Sequence, residues 1–142
     1  MDKTIHLLND ICKNTEMGVD GIKLMQKRCK SAALHAALER QLDEYGAIYS
    51  QASRQLGELG QTPKRIPAAA KIGSHLSMTA KGLRGMTSSD IAEMMVQGST
   101  MGVIQITRQS RLCRGCDPEA TALAAKLTKT EERNIDDMKR FL

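Results

Sequence analysis

A chain of 142 residues is long enough to bury a core as a single domain, 1–142, without disulfide or metal staples. Its only aromatics are Tyr45, Tyr49 and Phe141, against 9 Met and no Trp, so the core must come from Leu, Ile, Met and Ala, which suits helices and argues against a sheet. No run of about 18 apolar residues is present to span a membrane. The start Met1-Asp2-Lys3-Thr4-Ile5-His6 lacks a charged-then-apolar export signal, which predicts a cytoplasmic protein whose four cysteines are reduced thiols or ligands.

The net charge of +5 has a local origin. Between Gln61 and Ser89 stand Lys64, Arg65, Lys71, Lys81 and Arg84 with no acid, and the rest of the chain is balanced. No aromatic lies among these residues and no basic run exceeds two, so the pattern reads against nucleic-acid binding.

The first helix is expected near 3–29. Ile5, Leu8, Cys12, Val19, Ile22 and Cys29 recur at steps of three and four, with Ile11 and Met25 beside them. The second, near 31–59, carries Leu34, Leu38, Leu42, Tyr45, Tyr49, Ala52, Leu56 and Leu59 in a nearly strict heptad. Only Lys30 and Ser31 separate the two, and Ser31 can cap the second, so they form a tight antiparallel hairpin.

Thr62-Pro63 and Pro67 then mark a turn. Ile66, Ala69, Ile72, Leu76, Ala80 and Leu83 predict a shorter connecting helix near 66–84. About 20 helical residues suffice to cross a bundle from end to end. Such a crossover makes the second and third long helices parallel, which is the ferritin-like arrangement; a segment folding back at one end would leave up-down-up-down. The crossover is favoured.

The third long helix, near 88–111, opens on Thr87-Ser88-Ser89-Asp90 with the spacing of a capping box. The fourth, near 117–142, opens on Asp117 as cap, Pro118 at the first helical position and Glu119 in the first turn. It continues through Leu123, Leu127, Glu131, Asn134, Met138 and Phe141. Helices of similar length predict an all-α four-helix bundle.

The chain resembles an uncharacterised bacterial family of ferritin-like four-helix bundles without an assigned biochemical function. The resemblance is carried by Leu7-Leu8-Asn9-Asp10, by Glu16-Met17-Gly18, by the hairpin spacing, by the connecting helix and by Gly98. It covers nearly the whole chain. Where that family tends to place an acidic residue after the glycine, this chain has Ser99. The resemblance implies the fold and implies little about activity.

Four carboxylates at one bundle level, two of them followed three residues on by histidine, hold two metal ions in such proteins. Here Glu16, Glu44 and Glu131 fall near helix midpoints, but Ala47 and Asn134 stand at the two histidine positions. An amide is a poorer ligand than imidazole for iron, manganese or zinc. A degenerate metal site in a non-enzymatic bundle, with a stress-related or interaction role, is therefore the leading expectation. Iron or manganese held by Glu16, Glu44, Glu131 and Asn134, with oxidative or storage chemistry, is the alternative.

A second alternative is a thiol or zinc switch at Cys113-Arg114-Gly115-Cys116, ahead of a helix start and beside an arginine, both of which favour the thiolate. One such pair is half of a zinc site. Without a crossover its turn would lie beside Cys29 and His35, a Cys3His set; with one it would lie near His6 and Cys12. His6, His35 and His75 are otherwise isolated, and no nucleophile elbow or phosphate loop occurs. The connecting helix lacks large apolar anchors for a membrane surface. Apolar residues on more than one face of the third helix, Met94, Met95 and Met101, predict a homo-oligomer.

Overall fold

The computed structural model describes residues 2–66 and 85–142. They form four helices, α1 Asp2–Arg28, α2 Ala32–Glu58, α3 Ser88–Leu112 and α4 Pro118–Lys139. The expected connecting helix lies outside the described residues.

Local chemistry accounts for the helix starts. Ser31 accepts a hydrogen bond from the Leu34 N–H and caps α2. Thr87 and Asp90 form the reciprocal capping box of α3, at 3.1 and 2.9 Å. Asp117 accepts from the Glu119 N–H, with Pro118 next in line, where its missing N–H costs nothing. Each cap satisfies an amide that the helix itself leaves unpaired.

Four contacts set the topology. The Asp117 N–H donates to Thr4 Oγ1 at 3.1 Å, so the α3–α4 turn sits against the start of α1. Arg54, near the end of α2, pairs with Glu119 at the start of α4 at 2.7 Å. Arg40 and Glu44, in the first half of α2, pair with Asp137 and Arg133, in the last part of α4. The starts of α1 and α4 thus share one end of the bundle with the ends of α2 and α3.

The chain therefore leaves α2 at one end and re-enters at α3 from the other, about 37 Å away for a helix of 25 residues. This is the crossover, and α2 runs parallel to α3. The Lys64 N–H donates to Asn9 Oδ1 at 2.9 Å, which fastens the beginning of the connection to α1. Around the bundle α1 packs on α2 and α3, α4 packs on α2 and α3, and α1 meets α4 across the diagonal.

The core is aliphatic, built from Leu7, Leu8, Ile11, Ile22, Leu34, Leu38, Ile48, Leu56, Ile91, Ile106 and Leu127. In α2 the buried face differs from the expected heptad: Gln41 and Ile48 are inside, while Leu42 and Tyr49 are only partly covered. The buried positions Leu34, Leu38, Gln41, Tyr45, Ile48, Ala52 and Gln55 alternate at steps of four and three, so the inner stripe keeps a seven-residue repeat but passes through Gln41 and Ile48 and not Leu42 and Tyr49. This register brings Gln41 into the interior.

Candidate functional site

Near the middle of the bundle the aliphatic core gives way to a polar layer. Gln41 and Tyr45 come from α2, Ser99 from α3, Glu131 and Asn134 from α4, and all five are buried. Thr15, also buried, spends its hydroxyl on the Ile11 and Cys12 carbonyls of its own helix. Two glycines make the layer possible. The Tyr45 ring lies 3.2 Å from where a side chain at Gly18 would begin, and the Glu131 carboxyl occupies the equivalent space at Gly102. The Gly102 carbonyl accepts from Asn14 Nδ2 at 3.2 Å, tying α1 to α3 at the same level.

Glu131 is the central group. It is 2 % exposed, and its Oε2 has no hydrogen-bond partner. Burial alone pushes its carboxyl up to about 8 from the ordinary 4.5, so at neutral pH it is held mostly as the acid. The nearby Tyr45 hydroxyl stands 3.5 Å from Ser99 Oγ, and burial followed by the Glu131 charge moves it to about 12. Both amide atoms of Gln41 also lack partners, and Asn134 lies against the Tyr45 hydroxyl, whose pKa it lowers. Buried polar atoms normally find partners, so a cluster of orphans in one layer marks a place prepared for something other than core packing.

The layer opens outward between α1 and α3 into a cavity of about 620 Å³. Glu131 and Tyr45 line its floor, Met17, Met25, Met94 and Met95 its walls, and Asp10, Lys13, Gly98 and Gln105 its outer edge. At that edge the Asp10 carboxylate lies 3.3 Å from His6 Nε2; burial raises its pKa against the lowering influence of His6 and Lys13.

The four residues expected to hold metal are dispersed. Glu131 and Asn134 share the layer. Glu44 instead lies in the α2–α4 groove, where it accepts from Arg133 and stands 3.9 Å from Arg40. Glu16 is half-buried on α1, and its charge reinforces the burial that pushes the Cys12 thiol up to about 12. No three His, Cys, Asp or Glu side chains converge among the described residues. With one buried carboxyl, a neutral amide and no histidine among the layer's described residues, this donor set does not fit a di-metal centre.

The turn after α3 differs from expectation in two respects. Cys113 and Cys116, with Cα atoms 5.4 Å apart, are joined as a disulfide and are not separate thiols. The crossover also puts this turn against Lys3 and Thr4, while Cys29 and His35 sit at the α1–α2 hairpin on the opposite end. The Cys3His zinc set is thus not assembled. Cys12 and Cys29 remain free thiols, one buried and one half-buried, and Cys29 donates to the Ser31 carbonyl.

No protein-family model and no curated protein matches this sequence. Among solved structures, a dodecameric thioferritin, the bacterioferritin-related protein of Bacteroides fragilis, superposes with a TM-score of 0.75 at 13 % identity. The match covers 99 % of this chain and 84 % of that one. The fold is ferritin-like. An identity this low carries the ferritin-like frame and none of the site chemistry, which depends on side chains that the two proteins need not share. Among the described residues no helix of this ferritin-like bundle is long and apolar enough to cross a membrane.

Sequence reasoning located Glu131 and Asn134 on the inner face of α4 but missed Gln41, the Tyr45–Gly18 contact and the seat at Gly102. Glycines inside helices were the available signal, since each costs about 1 kcal/mol relative to alanine unless something needs the space.

Proposed function

We propose that this chain is a non-enzymatic ferritin-like bundle whose mid-bundle layer has exchanged a metal centre for a small-molecule cavity, and that it acts as a homo-oligomer in a binding or stress-related role. The observation that supports this reading is Glu131, a buried carboxyl at the position of a bundle metal ligand, around which no group of three His, Cys, Asp or Glu side chains gathers among the described residues. Two metal ions would need several ionised donors in one place. Here the other mid-helix carboxylate of the α2–α4 pair, Glu44, is engaged with Arg133 and Arg40.

The oligomer rests on Met101 and Ile104, exposed large apolar residues on α3, and on the ferritin-like neighbour being a dodecamer. Elemental analysis of protein purified without chelator or affinity metal tests the main reading. Well under one equivalent of iron, manganese or zinc per chain is expected. About two metals per chain that disappear in Glu131→Ala would overturn it in favour of iron or manganese chemistry. Light scattering after gel filtration tests the assembly, and a monomer would refute it.

A second reading, a thiol switch at the α3–α4 turn, is favoured by the Cys113–Cys116 bond. Two electrons and two protons from a dithiol reductant would open the bond to two thiols. Its test is whether reduction changes the oligomeric state, and no change would count against it.

A further inference from the structure

The cavity between α1 and α3 has a chemical bias that narrows its ligand, an inference that rests on the reading of the layer as metal-free. We infer that it binds an amphipathic organic amine, with the protonated nitrogen against the Glu131 carboxylate and the apolar body against the methionine-lined walls.

Size comes first. About 620 Å³ lies within the range of pockets that enclose small organic molecules and is far larger than a single ion needs. Polarity comes second. The floor presents Glu131 Oε2, buried and without a donor. A ligand with no N–H or O–H donor would leave that oxygen unpaired at a cost of about 1–3 kcal/mol, a hydroxyl would pair it without neutralising it, and a carboxylate ligand would add repulsion. An ammonium group supplies both the donors and the opposite charge.

The walls come third. Met17, Met25, Met94 and Met95 present flexible thioethers, which adapt to apolar bodies of different shape and do not dictate one. Among the described residues the other ionisable groups facing the cavity are Asp10 and Lys13 from α1 and Tyr45 from α2, and α3 contributes none. Asp10 and Lys13 offset each other, so the charge preference is decided at Glu131.

Binding carries a proton signature. The carboxyl, raised to about 8 by burial, is mostly protonated at neutral pH. Pairing with an ammonium ion favours its ionised form, so the acid proton leaves to solvent as the amine enters. No covalent bond is made.

The test is isothermal titration calorimetry on the full chain at pH 7, with hexylammonium, hexanol and hexanoate as probes, in two buffers of different ionisation enthalpy. The expected result is hexylammonium binding at least tenfold tighter than hexanol, hexanoate weakest, and close to one proton released per amine. Glu131→Gln, nearly isosteric, should abolish both the amine preference and the proton release while hexanol still binds and helicity is unchanged. Gly98→Leu, at an open rim position with nothing within 4 Å of its side-chain direction, should weaken every probe. Equal binding of amine and alcohol, or an amine preference that survives Glu131→Gln, would overturn the ligand class while leaving the metal-free layer intact. Binding of no probe would overturn the inference as a whole. Iron or manganese co-purifying and lost in Glu131→Gln would instead strike the underlying reading.

Discussion

The Glu131 carboxyl rests on the backbone of Gly102, so close that a methyl group on that glycine would come within 2.3 Å of Oε1. This contact lets a buried acid on α4 fit beneath α3, and it makes Gly102 and Glu131 one energetic unit. Gly102→Ala should destabilise the protein by about 1–2 kcal/mol, overpacking outweighing the gain in helix propensity of roughly 1 kcal/mol. In a Glu131→Ala background the same change should stabilise. Urea denaturation of the four proteins in this double-mutant cycle measures the reversal, and additive effects would show that the two residues are not coupled.

Burial of Glu131 also makes stability depend on pH in a direction opposite to most carboxylates. Its folded pKa of about 8 lies above the ordinary 4.5, so between these values the folded state binds more protons than the unfolded one. The stability contributed by the protonated form is fully present below about 4.5 and is lost as pH rises through about 8. At 1.36 kcal/mol per unit the loss is on the order of 5 kcal/mol, an upper bound if water enters the cavity. Glu131→Gln should flatten this slope and be the more stable protein at pH 9. Denaturant midpoints measured from pH 5 to 9 decide it, and parallel profiles would mean that Glu131 ionises normally.

Glu44 should behave as a surface residue despite its mid-helix position. Its ion pairs involve Arg133 and Arg40, whose side chains are more than half exposed. Such pairs contribute about 0.2–1 kcal/mol each. Glu44→Gln should therefore lower stability by about 1 kcal/mol or less and leave amine binding unchanged. A larger loss, or a change in metal content, would restore Glu44 to the site.

The turn at 113–116 should protect two of the four cysteines. Thiol titration of unreduced protein in denaturant should count two free thiols per chain, those of Cys12 and Cys29. Four would show the turn reduced. Replacing Cys113 and Cys116 together by serine should cost about 2 kcal/mol, the small figure that loop entropy gives for so short a closed loop. Part of that loss should appear as faster amide exchange at Asp117, whose N–H is held by Thr4.

How much of this was legible in the sequence depended on the range of the interaction. Ser31, Thr87 and Asp117 announced three helix starts because a cap is an interaction within three residues. Leu123, Leu127, Glu131, Asn134 and Met138 announced the inner face of α4 because 3.6-residue spacing maps directly onto one side of a helix. That Glu44 flanks the apolar stripe and is solvated or salt-bridged was legible from its spacing, but its partner Arg133 was not, since it lies 89 positions away. The meeting of Gly102 with Glu131 depends on how α3 and α4 approach each other, a relation that neither helix encodes alone.

The sequence by itself determined four amphipathic helices, the tight hairpin of the first two and an aliphatic core, since each follows from contacts within a few residues along the chain. Only the tertiary structure decided that the connection crosses the bundle, which separates Cys113 and Cys116 from Cys29 and His35 and puts the turn against Thr4. It also decided that the Glu131 carboxyl meets Gly102 and lines a cavity between α1 and α3. That outcome turns on a rotation of each helix about its own axis, fixed by packing against its neighbours, and it gives the bundle one neutral acid at the floor of a cavity.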